Sequence, residues 1–155
     1  MKKTFISLLC LALCTLTTVA SNRTRSNVPW VIYQKDYLGK WEGTDNKGQL
    51  GALTFYSDGS MVMVQGGETL GAKKGEIKEG DIPITYEFNF AKDPVWLDVI
   101  VSDYTGKELG RLRLIVKFIA KDKMLCRMGD MMAQRPDGFD ENDKKNTILL
   151  TKVSK

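Results

Sequence analysis

The stretch Pro94–Arg135, PVWLDVIVSDYTGKELGRLRLIVKFIAKDKMLCRMGDMMAQR, decides the fold. Two long alternating segments, Val95–Ser102 and Leu109–Ile119, flank a turn at Tyr104-Thr105-Gly106-Lys107. Closing them as an antiparallel hairpin centred on Thr105–Gly106 sets Val95, Leu97 and Val99 opposite Val116, Leu114 and Leu112. Trp96, Asp98 and Ile100 then face Ile115, Arg113 and Arg111 on the other side. The faces separate because side chains alternate with period two, and an even slip of register preserves the sorting. A ribbon of this length with one apolar face must curl around a core.

Working outward, the same pattern repeats in shorter form. Leu50–Tyr56 and Ser60–Gln65 flank Asp58-Gly59, which reads as a two-residue hairpin turn because both positions tolerate positive φ. Leu53 and Phe55 share one face, as do Met61 and Met63. Ile84, Tyr86, Phe88 and Phe90 alternate with Thr85, Glu87 and Asn89. Lys123–Met128 follows a tight turn at Lys121-Asp122, and Thr147–Val153 closes the chain. The glycine- and lysine-rich Gly66–Gly80 is expected to hold one short strand near Ala72–Lys78. Gly129–Asn146 reads as a long polar loop anchored by Met131, Met132, Pro136 and Phe139. Eight to nine short strands with no repeat and no long helix predict an all-β, single antiparallel up-and-down barrel over residues 39–155, since closure removes exposed edges.

The first 20 residues read as a signal peptide. Lys2 and Lys3 precede the apolar stretch Phe5–Leu16, and Thr18-Val19-Ala20 offers small residues before Ser21. Export to the periplasm or outside the cell is the expectation. Lipidation at Cys14 is the lesser alternative, because Leu13 is bulky for such a site. Residues 21–38 form an expected tether and closing arm carrying Pro29, Trp30, Tyr33 and Tyr37. Cleavage leaves Cys126 as the only thiol, so no internal disulfide is expected. The whole chain carries +4, and +2 once Lys2 and Lys3 leave. That balance gives no footprint for nucleic acid. No histidine is present, which removes the commonest general base and metal ligand.

Gly39-Lys40-Trp41 at the head of the first strand has the form G-x-W. Further on stand Pro94-Val95-Trp96-Leu97-Asp98, then Asp122-Lys123-Met124-Leu125-Cys126, then Arg135-Pro136 with Phe139, then a last strand ending near Lys152. This order resembles a family of small secreted bacterial lipocalin-like domains, and the resemblance covers about Leu38 to Lys155. Lys117-Phe118 here replaces a glycine-aromatic pair usual in that family, and Lys123 stands where an acid is common. The resemblance implies a lipocalin-like barrel with Trp41 at the closed end beneath the basic side chain of Lys152. It implies no particular activity.

Several constellations carry candidate chemistry. Asp98 and Arg113 form the expected cross-strand charged pair, read as structural because no second acid or histidine accompanies it. Met61, Met63, Met124, Met128, Met131 and Met132, with Cys126, invite a Cu(I) reading through soft sulfur ligands. Against it, no histidine or regular methionine array is present, and methionine fills irregular cores. Arg135-Pro136-x-x-Phe139 reads as pinning its loop. The inward set follows from alternation: Leu53, Phe55, Met61, Met63, Tyr86, Phe88, Leu97, Val99, Leu112, Leu114, Val116 and Leu125. Of these, Phe55, Met61, Met63, Tyr86, Phe88, Leu97, Leu112, Leu114 and Val116 are the candidate cavity residues.

The leading functional expectation is a binding module for a small hydrophobic molecule inside the barrel. The alternative is a structural or protein-interaction domain at the cell envelope with a filled barrel, and Cu(I) binding through methionines comes third. No nucleophile–base pair or metal cluster is visible, so an enzyme is not expected. Neither a cofactor nor a membrane span is expected.

Overall fold

In the computed structural model the described residues are 36–44, 48–129, 134–140 and 146–154. The expected signal peptide, the expected arm up to residue 35 and the expected anchors Met131 and Met132 lie outside them. Nine strands follow in chain order: β1 (Gly39–Thr44), β2 (Leu50–Phe55), β3 (Met61–Gln65), β4 (Glu68–Leu70), β5 (Ile84–Asn89), β6 (Val95–Ser102), β7 (Glu108–Ala120), β8 (Lys123–Met128) and β9 (Thr147–Lys152). They form one antiparallel sheet in the spatial order β4-β3-β2-β1-β9-β8-β7-β6-β5. Each strand therefore lies beside its neighbour in sequence, except across the β4–β5 gap. The sheet is nearly closed into a barrel by a single bridge between Ser60 and Thr85. Among the described residues no helix is long and apolar enough to cross a membrane.

The central ribbon adopts the register its alternation demands. Val95, Leu97 and Val99 pair with Val116, Leu114 and Leu112, and Trp96, Asp98 and Ile100 with Ile115, Arg113 and Arg111. The turn itself is one residue out of step with that ladder. Asp103 N–H donates to Lys107 O at 2.9 Å and Gly106 N–H to Asp103 O at 3.0 Å, with Gly106 at φ 88°. A bulge between Val101 and Ser102 absorbs the difference. The β2–β3 hairpin uses the same device. Its loop is Ser57-Asp58-Gly59, one residue longer than the two-residue turn expected, with Gly59 N–H donating to Tyr56 O at 3.1 Å and Gly59 at φ 83°. A type I turn followed by a left-handed glycine needs that third residue.

The strand expected near Ala72–Lys78 is instead β4. Gly66 and Gly67 both take positive φ, so the chain reverses at once and pairs Gln65 with Glu68. Lys73 and Glu76 then form a turn where strand was expected, closed by Glu76 N–H to Lys73 O at 2.9 Å. This segment seals the barrel's seam. Gly71 is wedged so tightly between β3 and β5 that a Cβ there would lie 2.4 Å from Met61 O and 3.1 Å from the Ile84 side chain. The buried Ser60 hydroxyl accepts from Lys74 N–H at 3.1 Å and donates to Asp58 Oδ1.

One end of the interior is packed with aromatic rings. Tyr37 meets Phe55, Tyr86, Phe88 and Phe90 at centroid distances between 4.6 and 6.1 Å. Trp41 is fully buried, with its indole N–H donating to Tyr37 O at 2.7 Å. Lys152 Nζ sits 5.6 Å from the Trp41 ring centroid and donates to Asp36 O. The Tyr86 hydroxyl donates to Tyr56 O at 2.6 Å, and burial pushes its phenol above the usual range. Edge-to-face aromatic contacts of this kind contribute beyond the area they bury, so this end is closed by packing.

Two side-chain expectations are corrected. Leu125 is on the outward side of β8 and half-buried, while Met124 and Cys126 on either side of it are buried in the core. Choosing the apolar face fails on β8 because leucine, methionine and cysteine are all apolar. Asp98 faces Arg113 in the ladder, but its carboxylate is engaged by Arg111 at 3.0 Å on the diagonal and by Arg135 from the loop. Arg111 is aimed there by Glu108, which accepts from both Nε (3.0 Å) and Nη2 (2.9 Å).

Candidate functional site

At the end opposite the aromatic cluster the interior is not filled. Strand alternation that places Trp41 inward also places Gly43 inward, and that which places Leu53 inward does the same for Gly51. These two glycines are register partners across β1 and β2. Both line an apolar cavity of about 80 Å³. From β1–β3 its wall includes Gly43, Leu50, Gly51, Met61 and Met63; from β6–β9 it includes Val99, Leu112, Leu114, Cys126, Met128, Ile148 and Leu150. Gly43 is held where it is by β9, since a Cβ there would lie 2.4 Å from Leu149 O.

Of the candidate cavity residues, Met61, Met63, Leu112 and Leu114 line this space. Phe55, Tyr86, Phe88, Leu97 and Val116 instead belong to the core cluster and its immediate packing. Alternation identifies inward positions, but it does not say how far along the barrel axis each one sits. The place of the cavity was missed for that reason. Cys126 and Met128 share an inward face with Met124, yet only the first two reach the cavity.

The cavity holds few polar groups. Among the described residues, Gln49 and Gln65 are the polar side chains at its margin, and Cys126 is its one titratable group. Burial pushes the Cys126 thiol up to about 12, so it is neutral at physiological pH. The mouth carries exposed apolar side chains, with Leu50 58% and Met128 39% accessible. Such a site can hold an uncharged apolar group and discriminates against anything that must keep its hydration shell. Its volume is on the order of three waters' share of the liquid, well below the roughly 300–1,000 Å³ of pockets that enclose whole drug-sized ligands.

A second groove is bordered by Glu87, Phe88, Asn89, Phe90, Ala91, Trp96, Asp98, Arg113, Gln134 and Arg135. Here Arg135 ties its loop to the barrel. Its guanidinium carbon is 4.5 Å from the Trp96 ring centroid, its Nη1 donates to Leu114 O and to Leu97 O (3.3 Å), and its Nη2 donates to Asp98. Farther along, Arg127 Nη1 donates to Gly138 O. Ile115 stands between Trp96 and Arg127 in the ladder and is fully buried, although it faces outward. The loop is pinned on both sides of it. Lys92 Nζ lies 4.7 Å from the Trp96 centroid, so the indole is engaged by two cations. Arg135 is committed to these internal partners, which makes it a fastening for the loop.

Among the described residues no group of three or more His, Cys, Asp or Glu side chains is placed to hold a metal ion. Comparison of the chain with protein-family models, with curated proteins and with solved structures finds no match.

Proposed function

We propose that the chain is an exported lipocalin-like binding module whose open-end cavity takes a short apolar group, such as the end of an alkyl chain, and leaves the remainder of the ligand outside. The observation that supports this reading is the apolar cavity beside exposed Leu50 and Met128. Export rests on the form of residues 1–20, and the lipocalin-like assignment on the spaced motifs from Gly39 to Lys152. The packed aromatic half favours a short occupant over a long one, because space for a whole acyl chain would require displacing Tyr37, Phe88 and Phe118.

The test is a thermal scan against a homologous series of alkyl alcohols and carboxylates. Butyl to hexyl members are expected to raise the melting temperature, with stabilisation reaching about 2.7 kcal/mol at a hundredfold excess over the dissociation constant. Longer members should add little. The response should be indifferent to salt, since it comes from apolar burial. Leu112→Trp should fill the cavity and remove the response. If no member shifts the melting temperature, the binding reading fails. The envelope interaction domain then takes its place, a reading favoured by the side chains that fill most of the barrel.

A further inference from the structure

We propose that the open-end cavity is also a site for a soft monovalent metal ion, Cu(I) foremost, held between Met61 and Met63 of β3 and Cys126 and Met128 of β8. Each pair is spaced i, i+2, so both members point inward from their strand. The sequence alone leaves the pairs unrelated. The topology sets β3 and β8 four ladder steps apart, on different sides of the barrel, and all four sulfur-bearing side chains line the same cavity.

The bland reading of these residues is packing, since methionine adapts to irregular interiors. Met124 fits that reading: it is fully buried in the core cluster and is not among the residues that line the cavity. Met61 and Cys126 belong to the same cluster, but with Met63 and Met128 they line the cavity. They surround about 80 Å³ that protein atoms do not fill. A filler side chain with three rotatable bonds would be expected to close such a gap.

The chemistry of the donors selects the ion. Thioether and thiol sulfur are soft ligands, suited to Cu(I) and poor for Mg²⁺ or Ca²⁺, which want oxygen. The chain has no histidine to recruit Zn²⁺ or Cu(II). Charge points the same way. As the metal–sulfur bond forms, the Cys126 thiol releases its proton to solvent, and the resulting thiolate offsets the single positive charge of Cu(I). The neutral complex suits an apolar cavity; a divalent ion would leave a net charge buried there. A way in is also present: Met128 is 39% accessible at the mouth and Met61 is fully buried. An arriving ion meets an exposed thioether first and exchanges inward.

This inference uses the cavity of the proposed alkyl site but does not depend on that function. The experiment is an anaerobic titration of the purified protein with Cu(I) against a chromophoric Cu(I) chelator, with proton release followed in weak buffer. The expected result is a one-to-one complex that survives the chelator and releases one proton. A Met61→Leu/Met63→Leu variant keeps volume and hydrophobicity, changes expected to be tolerated by the fold. It should bind Cu(I) at least ~10-fold more weakly, the lower end of what even outer-shell damage costs a metal site. Met128→Leu at the accessible rim should weaken Cu(I) in the same direction. The proposal is overturned if no one-to-one complex survives the chelator, or if the double variant binds as tightly as the parent. A parent protein that binds no Cu(I) yet responds to alkyl ligands removes the metal site and leaves the proposed function standing.

Discussion

Arg135 and Asp98 are joined by a charge-assisted hydrogen bond, although one lies in the loop before β9 and the other in β6. Only 12% of the arginine side chain and 20% of the aspartate side chain are accessible. Arg135 also serves two backbone carbonyls and stacks on Trp96, so one side chain fastens a loop to two strands.

Arg135→Ala is therefore expected to destabilise the fold by about 2 kcal/mol, the range of hydrogen bonds to charged groups, as measured by urea unfolding. In double-mutant cycles Asp98 should couple more strongly to Arg135 than to Arg113. Equal coupling would restore the directly opposed pair that the ladder suggests.

Gly71→Ala and Gly75→Ala make a controlled comparison. Both glycines have positive φ, 82° and 93°, but an added Cβ meets Met61 O at 2.4 Å at position 71 and nothing within 4 Å at position 75. Gly75→Ala should cost about 1 kcal/mol from backbone strain alone. Gly71→Ala should cost about 2 kcal/mol or more, because it also forces β3 and β5 apart. Equal losses would mean that the seam is not under steric control.

The Asp58 carboxyl is held below its ordinary value, first by the Ser60 hydroxyl and then by the Ser60 backbone N–H. Its folded pKa is lower than its unfolded one. Its contribution is therefore present above the unfolded value, near 3.8, and is lost as pH falls through the folded one. Asp58→Asn should melt below the parent at pH 7, and the two should converge below about pH 4. A difference that stays constant down to pH 2 would exclude this linkage.

The six cross-strand pairs of the central ribbon were legible because a period of two, applied over eight residues, leaves no second way to bury Leu97, Val99, Leu112 and Leu114. Loop geometry was less so. Gly66 and Gly67 reverse the chain by themselves, and nothing in the composition of residues 66–80 says which glycines act together. Asp98 chose Arg111 and Arg135 because long guanidinium side chains reach diagonally and across loops, distances that a ladder drawn from sequence does not contain. The cavity was hidden for a related reason. Its wall is drawn from β1–β3 and β6–β9, and their meeting is fixed by the closure of the sheet and not by any residue's own surroundings.

The sheet order has a mechanical consequence. Strands β1–β4 are contiguous in sequence and in space, and so are β5–β9. Among the described residues the two groups meet along β1–β9, with two register pairs, Trp41 with Lys152 and Glu42 with Thr151, and at the lone Ser60–Thr85 bridge. The barrel is thus two staves joined along two short seams, with far more rungs inside each stave than between them. The cavity lies between the staves, with Met61 and Met63 on one and Cys126 and Met128 on the other. Whatever occupies it touches both halves at once and acts as a latch, converting binding at the mouth into resistance against the two halves parting.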